Sequence, residues 1–282
     1  MNQISPKTPG AFGVGSGYVL TTLNYTRGGG AKPAVYMYER PAGVPAIEER
    51  NEPHQVAIHS ARPLIETLSL DLQGFELAHG TSAVRDFDDE AELKRIYDHD
   101  VAALVLAKTG ASSALVFDHT VRRISGDDSS AAKRAPVYIV HNDYTKWSGP
   151  QRVRDLLPAG EAEQALKRRF AIVNVWRSIN GPVVDTPLAF ADARTVDDAD
   201  WLATDLKYPD RTGEVYRVAF NPAHRWFYVP NLQPEEILLL KTFDSAKDGR
   251  ARFMPHTAFG DPATVPGTEK RASIESRVLA FW

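Results

Sequence analysis

Apolar and polar residues alternate in short runs along most of the chain, and this pattern predicts a mainly β protein. Runs rich in β-branched and aromatic residues, separated by Gly or Pro clusters, are typical of strands. Short strands without regularly alternating long helices favour a β-barrel or jelly roll over a doubly wound sheet. Strands are predicted at Tyr18–Tyr25, Ala34–Arg40, Gln55–Ala61, Leu68–Leu77, Ala114–Ile124, Val137–Tyr144, Phe170–Ile179, Leu188–Ala193, Val215–Asn221, Arg225–Val229, Ile237–Phe243 and Ser273–Trp282.

A few segments show a helical pattern instead. Asp88–Gly110 has acids in its first turn, apolar residues near helical spacing and a glycine at its end, which predicts a scaffold helix. Ser148–Leu157 and Gly160–Arg169 are predicted as two short flanking helices. An irregular arm is expected at 1–17 and a mobile polar loop at 125–135. We expect one domain over 1–282, in which about 1–110 form an N-terminal sheet and helix extension and about 114–282 form the β core.

Composition narrows the possible functions. The 282 residues are 43% hydrophobic and 24% charged, with a formal net charge of -3, as in an ordinary globular protein. This charge balance gives no reason to expect a nucleic-acid or membrane partner, and no apolar run approaches the ~18 residues of a membrane span. The chain has no cysteine, so a metal would have to be bound by His and carboxylate side chains. A cytoplasmic enzyme, monomeric or homodimeric, is expected.

Candidate chemistry begins at the end of the predicted strand Val137–Tyr144, where His141 and Asp143 are two residues apart. Side chains at i and i+2 of a strand point to the same face, so this imidazole and this carboxylate can converge. They supply two of the three ligands of the 2-His-1-carboxylate triad that binds non-haem Fe(II). Such a pair occurs often by chance, so a third ligand is needed.

A third ligand and an anion site are available downstream. His256, 115 residues after His141, lies in the segment Met254–Phe259, whereas His224 lies in a turn-like segment. Arg271 and Ser273 share one face of the last predicted strand, where a guanidinium and a hydroxyl could bind one carboxylate. Arg277 lies on the same face about 20 Å further along. If the chain reverses near Thr264, residue 272 lies opposite His256, which favours Arg271.

These segments resemble a known family, the Fe(II)/2-oxoglutarate-dependent oxygenases of the type that contains CmcJ, NvfI and the fungal gibberellin desaturases. The resemblance runs from about residue 114 to the C-terminus. It rests on VHNDYT, SGPQRVRDLLP, NVWRSI, PLAFAD, EILLLKTFDS, PHTAF and SIESR, which lie at Val140–Thr145, Ser148–Pro158, Asn174–Ile179, Pro187–Asp192, Glu236–Ser245, Pro255–Phe259 and Ser273–Arg277. It implies a double-stranded β-helix core of the jelly-roll or cupin-like type, with flanking helices.

The resemblance also implies a mechanism and a set of residue roles. Iron held by His141, Asp143 and His256 would use 2-oxoglutarate and O2 to hydroxylate, desaturate or otherwise oxidise a small molecule, plausibly in secondary metabolism. Arg271 with Ser273, or alternatively Arg277, would bind the distal carboxylate of 2-oxoglutarate, and Asn174 could bind a carboxylate of it or a water. The residues expected to line the substrate pocket are Tyr144, Trp147, Arg152, Trp176, Phe259 and, if its strand faces the barrel, His119.

Two other classes of function remain open from the residues. The same His/Asp/His site could serve a metal-dependent β-barrel isomerase or hydrolase that does not use dioxygen. The barrel could also be a small-molecule binding protein without catalysis, although three inward polar ligands are costly to bury unpaired. The orientation of Arg271 and Arg277 relative to the metal ligands separates these alternatives from the oxygenase.

Overall fold

A computed structural model describes residues 17–123 and 135–282, so the arm predicted at 1–17 and the loop predicted at 125–135 lie almost wholly outside the described residues. The described residues form fourteen strands. They are β1 (Tyr18–Thr26), β2 (Ala34–Tyr36), β3 (Asn51–Ser60), β4 (Phe75–His79), β5 (Ser113–Arg123), β6 (His141–Asn142), β7 (Phe170–Ser178), β8 (Leu188–Ala191), β9 (Trp201–Lys207), β10 (Thr212–Val218), β11 (Trp226–Tyr228), β12 (Glu236–Asp244), β13 (His256–Ala258) and β14 (Ala272–Phe281).

Four α-helices accompany these strands: α1 (Glu90–Glu92), α2 (Asp98–Thr109), α3 (Ser148–Leu156) and α4 (Ala159–Ala165). A π-helical turn at Leu93–Tyr97 joins α1 to α2, and Gly110 ends α2 in the left-handed conformation with φ 67°. The helix predicted at Asp88–Gly110 is therefore present, with an irregular turn inside it. Among the described residues, none of the helices combines the length and the apolar character that crossing a bilayer requires.

The strands form two sheets that face each other, which is the predicted jelly roll. The major sheet has nine strands in the order β1-β3-β11-β8-β13-β6-β10-β9-β2, and the minor sheet has five in the order β4-β12-β7-β14-β5. Their inner faces bury large apolar side chains against each other. This core contains Phe75, Trp176, Phe190, Leu238 and Leu240.

The outer face of the minor sheet packs against α2. Val173 and Val175 point outward from β7 and join a buried cluster with Val101 and Val105 of the helix. Because successive strand residues point to opposite faces, the intervening Asn174 points inward. All nine residues of β7 are buried, as expected for a central strand covered on both sides.

The N-terminal strands do not form the separate sheet that the sequence suggested. β1 and β3 do pair antiparallel, but β2 pairs with β9 and β4 pairs with β12, so they extend the two core sheets. The strand predicted at Leu68–Leu77 is wrong over most of its length, since only Phe75–His79 is extended. The backbone N–H groups of Gln73 and Gly74 bond the carbonyl of Ser69, and this turn closes the segment.

The predicted pairing of the last strand with the His256 segment is also wrong. His256 lies on β13 between β8 and β6 of the major sheet, whereas Arg271 precedes β14 of the minor sheet. The residues between them cross from one sheet to the other instead of forming a tight hairpin. The two segments therefore face each other across the core.

Gly149 in α3 gives a test of this packing. A β-carbon at this position would lie 2.4 Å from Cδ2 of the buried Phe243 ring. Gly149→Ala should therefore lower the free energy of unfolding by about 1–3 kcal/mol, measured by urea denaturation. Gly160→Ala is the matched control, since nothing lies within 4 Å of that β-carbon. It should raise the stability by up to about 1 kcal/mol, and an equal loss in both variants would contradict the prediction.

Candidate metal centre

Two neighbouring strands of the major sheet bring the first two candidate ligands together. His141 on β6 and His256 on β13 are direct partners in an antiparallel pair, although 115 residues separate them in the sequence. Directly opposed side chains stand on the same face of a sheet. The centroids of the two imidazole rings lie 4.4 Å apart.

Hydrogen bonds to the backbone fix the orientation of both rings. Nδ1 of His141 lies 2.7 Å from the carbonyl oxygen of Ile139, and Nδ1 of His256 lies 3.3 Å from that of Met254. A carbonyl oxygen only accepts, so the proton of each neutral ring is on Nδ1. Each Nε2 therefore keeps its lone pair for a metal, as is usual for histidine ligands.

Asp143 supplies the third candidate ligand directly after β6. Its Oδ2 accepts hydrogen bonds from Nδ2 of Asn174, at 2.8 Å, and from Nε of Arg277, at 2.9 Å. Its Oδ1 lies 3.6 Å from Nε2 of His141. One ligand atom from each of His141, Asp143 and His256 lies within 4.8 Å of the other two, so the three can share one ion.

The electrostatic environment favours the ligand form of these groups. Burial lowers the pKa of His141 to about 3. Burial alone would raise the pKa of Asp143, but the Arg277 charge outweighs it and holds that pKa well below its usual range. A neutral imidazole and an ionised carboxylate are the forms that bind a metal.

Arg277 is fully engaged by side chains around Asp143. Nε donates to Asp143, Nη1 to Asp118 and to Oγ1 of Thr120, and Nη2 to Glu275. Burial would lower the pKa of Arg277, but the charge of Asp143 and its other acidic neighbours raises it well above the usual value. Asn174, the other residue bound to Asp143, also accepts a hydrogen bond from Oγ1 of Thr242 at 3.2 Å. The predicted 2-oxoglutarate ligands Asn174 and Arg277 thus both contact Asp143.

Arg271 and Ser273 form a different environment on the same inward face of the minor sheet. Both are buried, at 4% and 1% exposure, and Nε of Arg271 and Oγ of Ser273 have no hydrogen-bond partner within the described residues. Nη1 of Arg271 donates to the carbonyl oxygen of Thr186 at 2.6 Å. Burial lowers the pKa of Arg271 to about 10, and the charge of Arg122 acts in the same direction.

The backbone at Thr186 is strained where it contacts Arg271. Thr186 has φ 49°, a left-handed conformation that is unusual for a β-branched residue. The guanidinium also lies 5.4 Å from the centre of the Trp176 ring. Glu275 and Asp185 act on it only through space, and it makes no ion pair with a carboxylate of the described residues. An anion with carboxylate geometry would satisfy the unpaired donors of this site.

The predicted pocket residues fall into different surroundings. Trp176 is buried in the core between the sheets, and the Tyr144 phenol is buried near Asp143 and Arg277, where burial raises its pKa. Arg152 of α3 lies 5.7 Å from the centre of the Phe117 ring. Trp147, just before α3, is 52% exposed. Of these four residues, Trp176 and Tyr144 lie nearest to the positions that a residue lining the substrate pocket would occupy.

His119 and Phe259 do not point toward the metal centre, in contrast to the sequence prediction. His119 pairs with Ser276 on the outer face of the minor sheet, where its ring nitrogens contact Ser276 at 2.7 Å and Asp98 of α2 at 2.8 Å. Phe259 packs against Tyr228 on the side of the major sheet away from His256. His119 was expected in the pocket only if its strand faced the barrel, and this condition is not met. Phe259 was placed on the wrong face, because alternation along a strand fixes which neighbours share a face but not which face is inside.

Sequence reasoning missed a residue beside the metal ligands. Arg217 on β10 is the direct antiparallel partner of His141, so its side chain rises from the same face of the major sheet. The available signal was a single arginine in the predicted strand Val215–Asn221, which gives no indication of its neighbours. Asp118 and Glu275 around Arg277 were likewise not predicted.

A jelly roll with a His/Asp/His cluster between its sheets defines the class of non-haem Fe(II) oxygenases. Residues 23–281 match the family described as Oxidoreductase/YMDC permease-like domain. The chain is 34% identical over 287 residues to hydroxylase/desaturase efuI of Hormonema carpetanum. The matched region covers 94% of this chain and 95% of that relative. The chain belongs to this family, and within it to the Fe(II)/2-oxoglutarate-dependent oxygenases.

Two further similarities support the same class. The chain is 29% identical over 239 residues to the Fe(II)/2-oxoglutarate-dependent dioxygenase nvfI of Aspergillus novofumigatus (strain IBT 16806), covering 81% of this chain and 84% of that protein. A solved variant of the iron and alpha-ketoglutarate-dependent endoperoxidase NvfI has a TM-score of 0.85 and 25% identity, covering 95% and 99% of the two chains. The predicted fold, enzyme class and cofactors, which are Fe(II), 2-oxoglutarate and O2, are confirmed.

Removal of one ligand tests the metal centre. His256→Ala leaves a two-ligand site, so we expect Fe(II) affinity to fall by at least about 100-fold in anaerobic titration calorimetry, more than the 10–100-fold typical of a lost supporting residue. His99→Ala is the control, since His99 is an exposed histidine on α2. Unchanged affinity in His256→Ala, or an equal loss in both variants, would contradict this site.

Proposed function

We propose that His141, Asp143 and His256 hold Fe(II) and that Arg271 and Ser273 bind the distal carboxylate of 2-oxoglutarate. The enzyme then oxidises a small molecule of secondary metabolism by hydroxylation, desaturation or a related step. The observation that carries this proposal is that Nε of Arg271 and Oγ of Ser273 are buried without a hydrogen-bond partner among residues 17–123 and 135–282. They lie on the same inward face as Arg277, which contacts the metal ligand Asp143.

The donor set fits the proposed ion. Two neutral imidazoles and one carboxylate are the ligands of the facial triad, which leaves coordination positions open for other molecules. When bound, the iron and 2-oxoglutarate supply the oxidising chemistry, with succinate and carbon dioxide as coproducts. His141 and His256 present Nε2 because their Nδ1 groups are held by backbone carbonyls.

Arg277 and Asn174 act on the metal through Asp143. Their hydrogen bonds to Oδ2 leave Oδ1 for the iron and keep the carboxylate ionised. With Asp118 and Glu275 also bound to its guanidinium, Arg277 has its donors engaged without 2-oxoglutarate. We therefore assign the distal carboxylate to Arg271 and a positioning role to Arg277.

The surroundings of Arg271 suit a carboxylate at the end of a short carbon chain. Trp176 and Leu238 are direct cross-strand partners on the inner face of the minor sheet, so they supply an apolar wall beside the guanidinium. Such a wall excludes water and strengthens the charge-assisted hydrogen bonds of Arg271. Ser273, two residues further on the same face, offers a hydroxyl to the same anion.

The two alternative functions lack a comparable observation. An isomerase or hydrolase with the same metal would not require the second buried cationic site at Arg271, and a binding protein would not require three converging metal ligands. The relatives named as dioxygenases and hydroxylase/desaturases also favour oxidation. The proposal includes a cytoplasmic location and a monomer or homodimer without a nucleic-acid partner.

Turnover of 2-oxoglutarate tests the assigned reaction class. The iron-loaded protein should form succinate from 2-oxoglutarate in air, and a chelator or anaerobic conditions should abolish this formation because iron and O2 are both required. Succinate is measured by NMR or coupled assay, with His141→Ala as the inactive control. Retained succinate formation in His141→Ala, or none in the wild type, would exclude the proposed function.

A pair of variants tests which arginine binds 2-oxoglutarate. Arg271→Met removes a charged hydrogen-bond donor and should weaken 2-oxoglutarate binding by about 10–100-fold while Fe(II) affinity stays within about threefold. Arg277→Met should do the reverse, lowering Fe(II) affinity by about 10–100-fold. Both constants are measured by anaerobic calorimetry. The opposite pattern would assign the distal carboxylate to Arg277.

A further inference from the structure

Arg217 is a cation beside the metal centre that the assigned reaction does not use. It lies on β10 directly opposite His141, and residues in such a pair have β-carbons about 5 Å apart. Its other cross-strand neighbour is Leu202 on β9. Arg217 is half-buried, its Nη1 atom is shielded from water, and burial lowers its pKa to about 10.

The Arg217 side chain makes no hydrogen bond or ion pair with any residue of 17–123 or 135–282, and its Nη1 is a buried donor without a partner. The exposed carboxylate of Glu48 influences the Arg217 guanidinium only through its charge, without contact. Arg169 and Arg62, by contrast, have carboxylate partners, which are Asp244 and Glu236. A partly buried guanidinium with an unsatisfied donor is costly, which points to an anion that arrives as a ligand.

The position of Arg217 distinguishes it from the site of 2-oxoglutarate. Arg271 and Ser273 lie on the minor sheet, whereas Arg217 lies on the major sheet next to the ligand His141. The two cations rise from opposite sheets, so they can serve two different anions. Since the Arg271 site is assigned to 2-oxoglutarate, the anion at Arg217 belongs to the other reactant.

We propose that Arg217 anchors the substrate by binding its carboxylate, so that the enzyme selects small carboxylic acids and holds a carbon near that group at the iron. This inference rests on the proposed function, because it assigns 2-oxoglutarate to Arg271. The planar guanidinium can bind a carboxylate through two parallel hydrogen bonds, which fixes the orientation of the substrate as well as its charge. The Arg217 guanidinium therefore determines substrate specificity and positions the substrate at the iron.

The test uses two probes of nearly equal shape, cyclohexanecarboxylate and its neutral amide, cyclohexanecarboxamide. Their dissociation constants are measured by calorimetry on the full chain, loaded anaerobically with Fe(II) and saturating 2-oxoglutarate. The wild type should bind the carboxylate at least about 10-fold more tightly than the amide. Arg217→Met should remove this preference, and Arg217→Lys should keep part of it, because lysine retains the charge without the fork.

Arg211→Met is the matched control, since Arg211 is an exposed arginine on the same stretch whose guanidinium lies over the Tyr208 ring at 3.9 Å. Its carboxylate preference should equal that of the wild type. An equal affinity of the wild type for both probes, or a preference that persists in Arg217→Met, would overturn the proposal. Circular dichroism of each variant checks folding, and Arg217→Lys tests the same position if Arg217→Met does not fold.

Two further outcomes separate this inference from the proposed function. If the carboxylate probe weakens as 2-oxoglutarate is raised, it occupies the 2-oxoglutarate site and the assignment of Arg217 is overturned. If the wild type binds iron and forms succinate from 2-oxoglutarate but shows no carboxylate preference, only the substrate assignment fails. If it forms no succinate, the proposed function fails, and with it the inference that depends on it.

Discussion

The carboxylate of Asp143 joins the two sheets of the jelly roll at the metal centre. Asp143 follows β6 of the major sheet, and both of its hydrogen-bond donors, Asn174 and Arg277, come from the minor sheet. The metal centre therefore depends on the distance between the sheets, which the packed core of Trp176 and Phe190 sets. A change in that packing would move the carboxylate relative to the two histidines, which both belong to the major sheet.

The distribution of charge around this carboxylate separates structural from ligand-binding arginines. Arg277 forms ion pairs with Asp118, Asp143 and Glu275, and so it is a structural part of the metal centre. Arg271 is buried and Arg217 is half-buried, and neither has a carboxylate partner within the described residues. Burial lowers the pKa of each. An unpaired buried cation destabilises the folded protein unless a ligand neutralises it, so these two positions are where anionic reactants are best accommodated.

The outer layer supports this arrangement without taking part in it. The His119 ring bridges Asp98 of α2 and Ser276 of β14, and so ties the helix to the strand that carries Arg277. Ser276 is fully buried under that helix, which leaves no access for a substrate to this Ser/His/Asp arrangement. Its geometry resembles a catalytic triad, but its position makes it a structural link.

The sequence by itself determined the class of fold, the three candidate metal ligands and the enzyme family. The short strands and the spacing of His141 and Asp143 are local properties of the chain, and the family motifs are continuous segments. Only the tertiary structure decided the partners of the arginines and the inward or outward direction of His119 and Phe259. Alternation along a strand specifies two faces but not which is buried, and strand pairing brought His141 beside Arg217, 76 residues away. The sequence also misplaced the last strand opposite His256, because a crossing between sheets has no local pattern that distinguishes it from a hairpin.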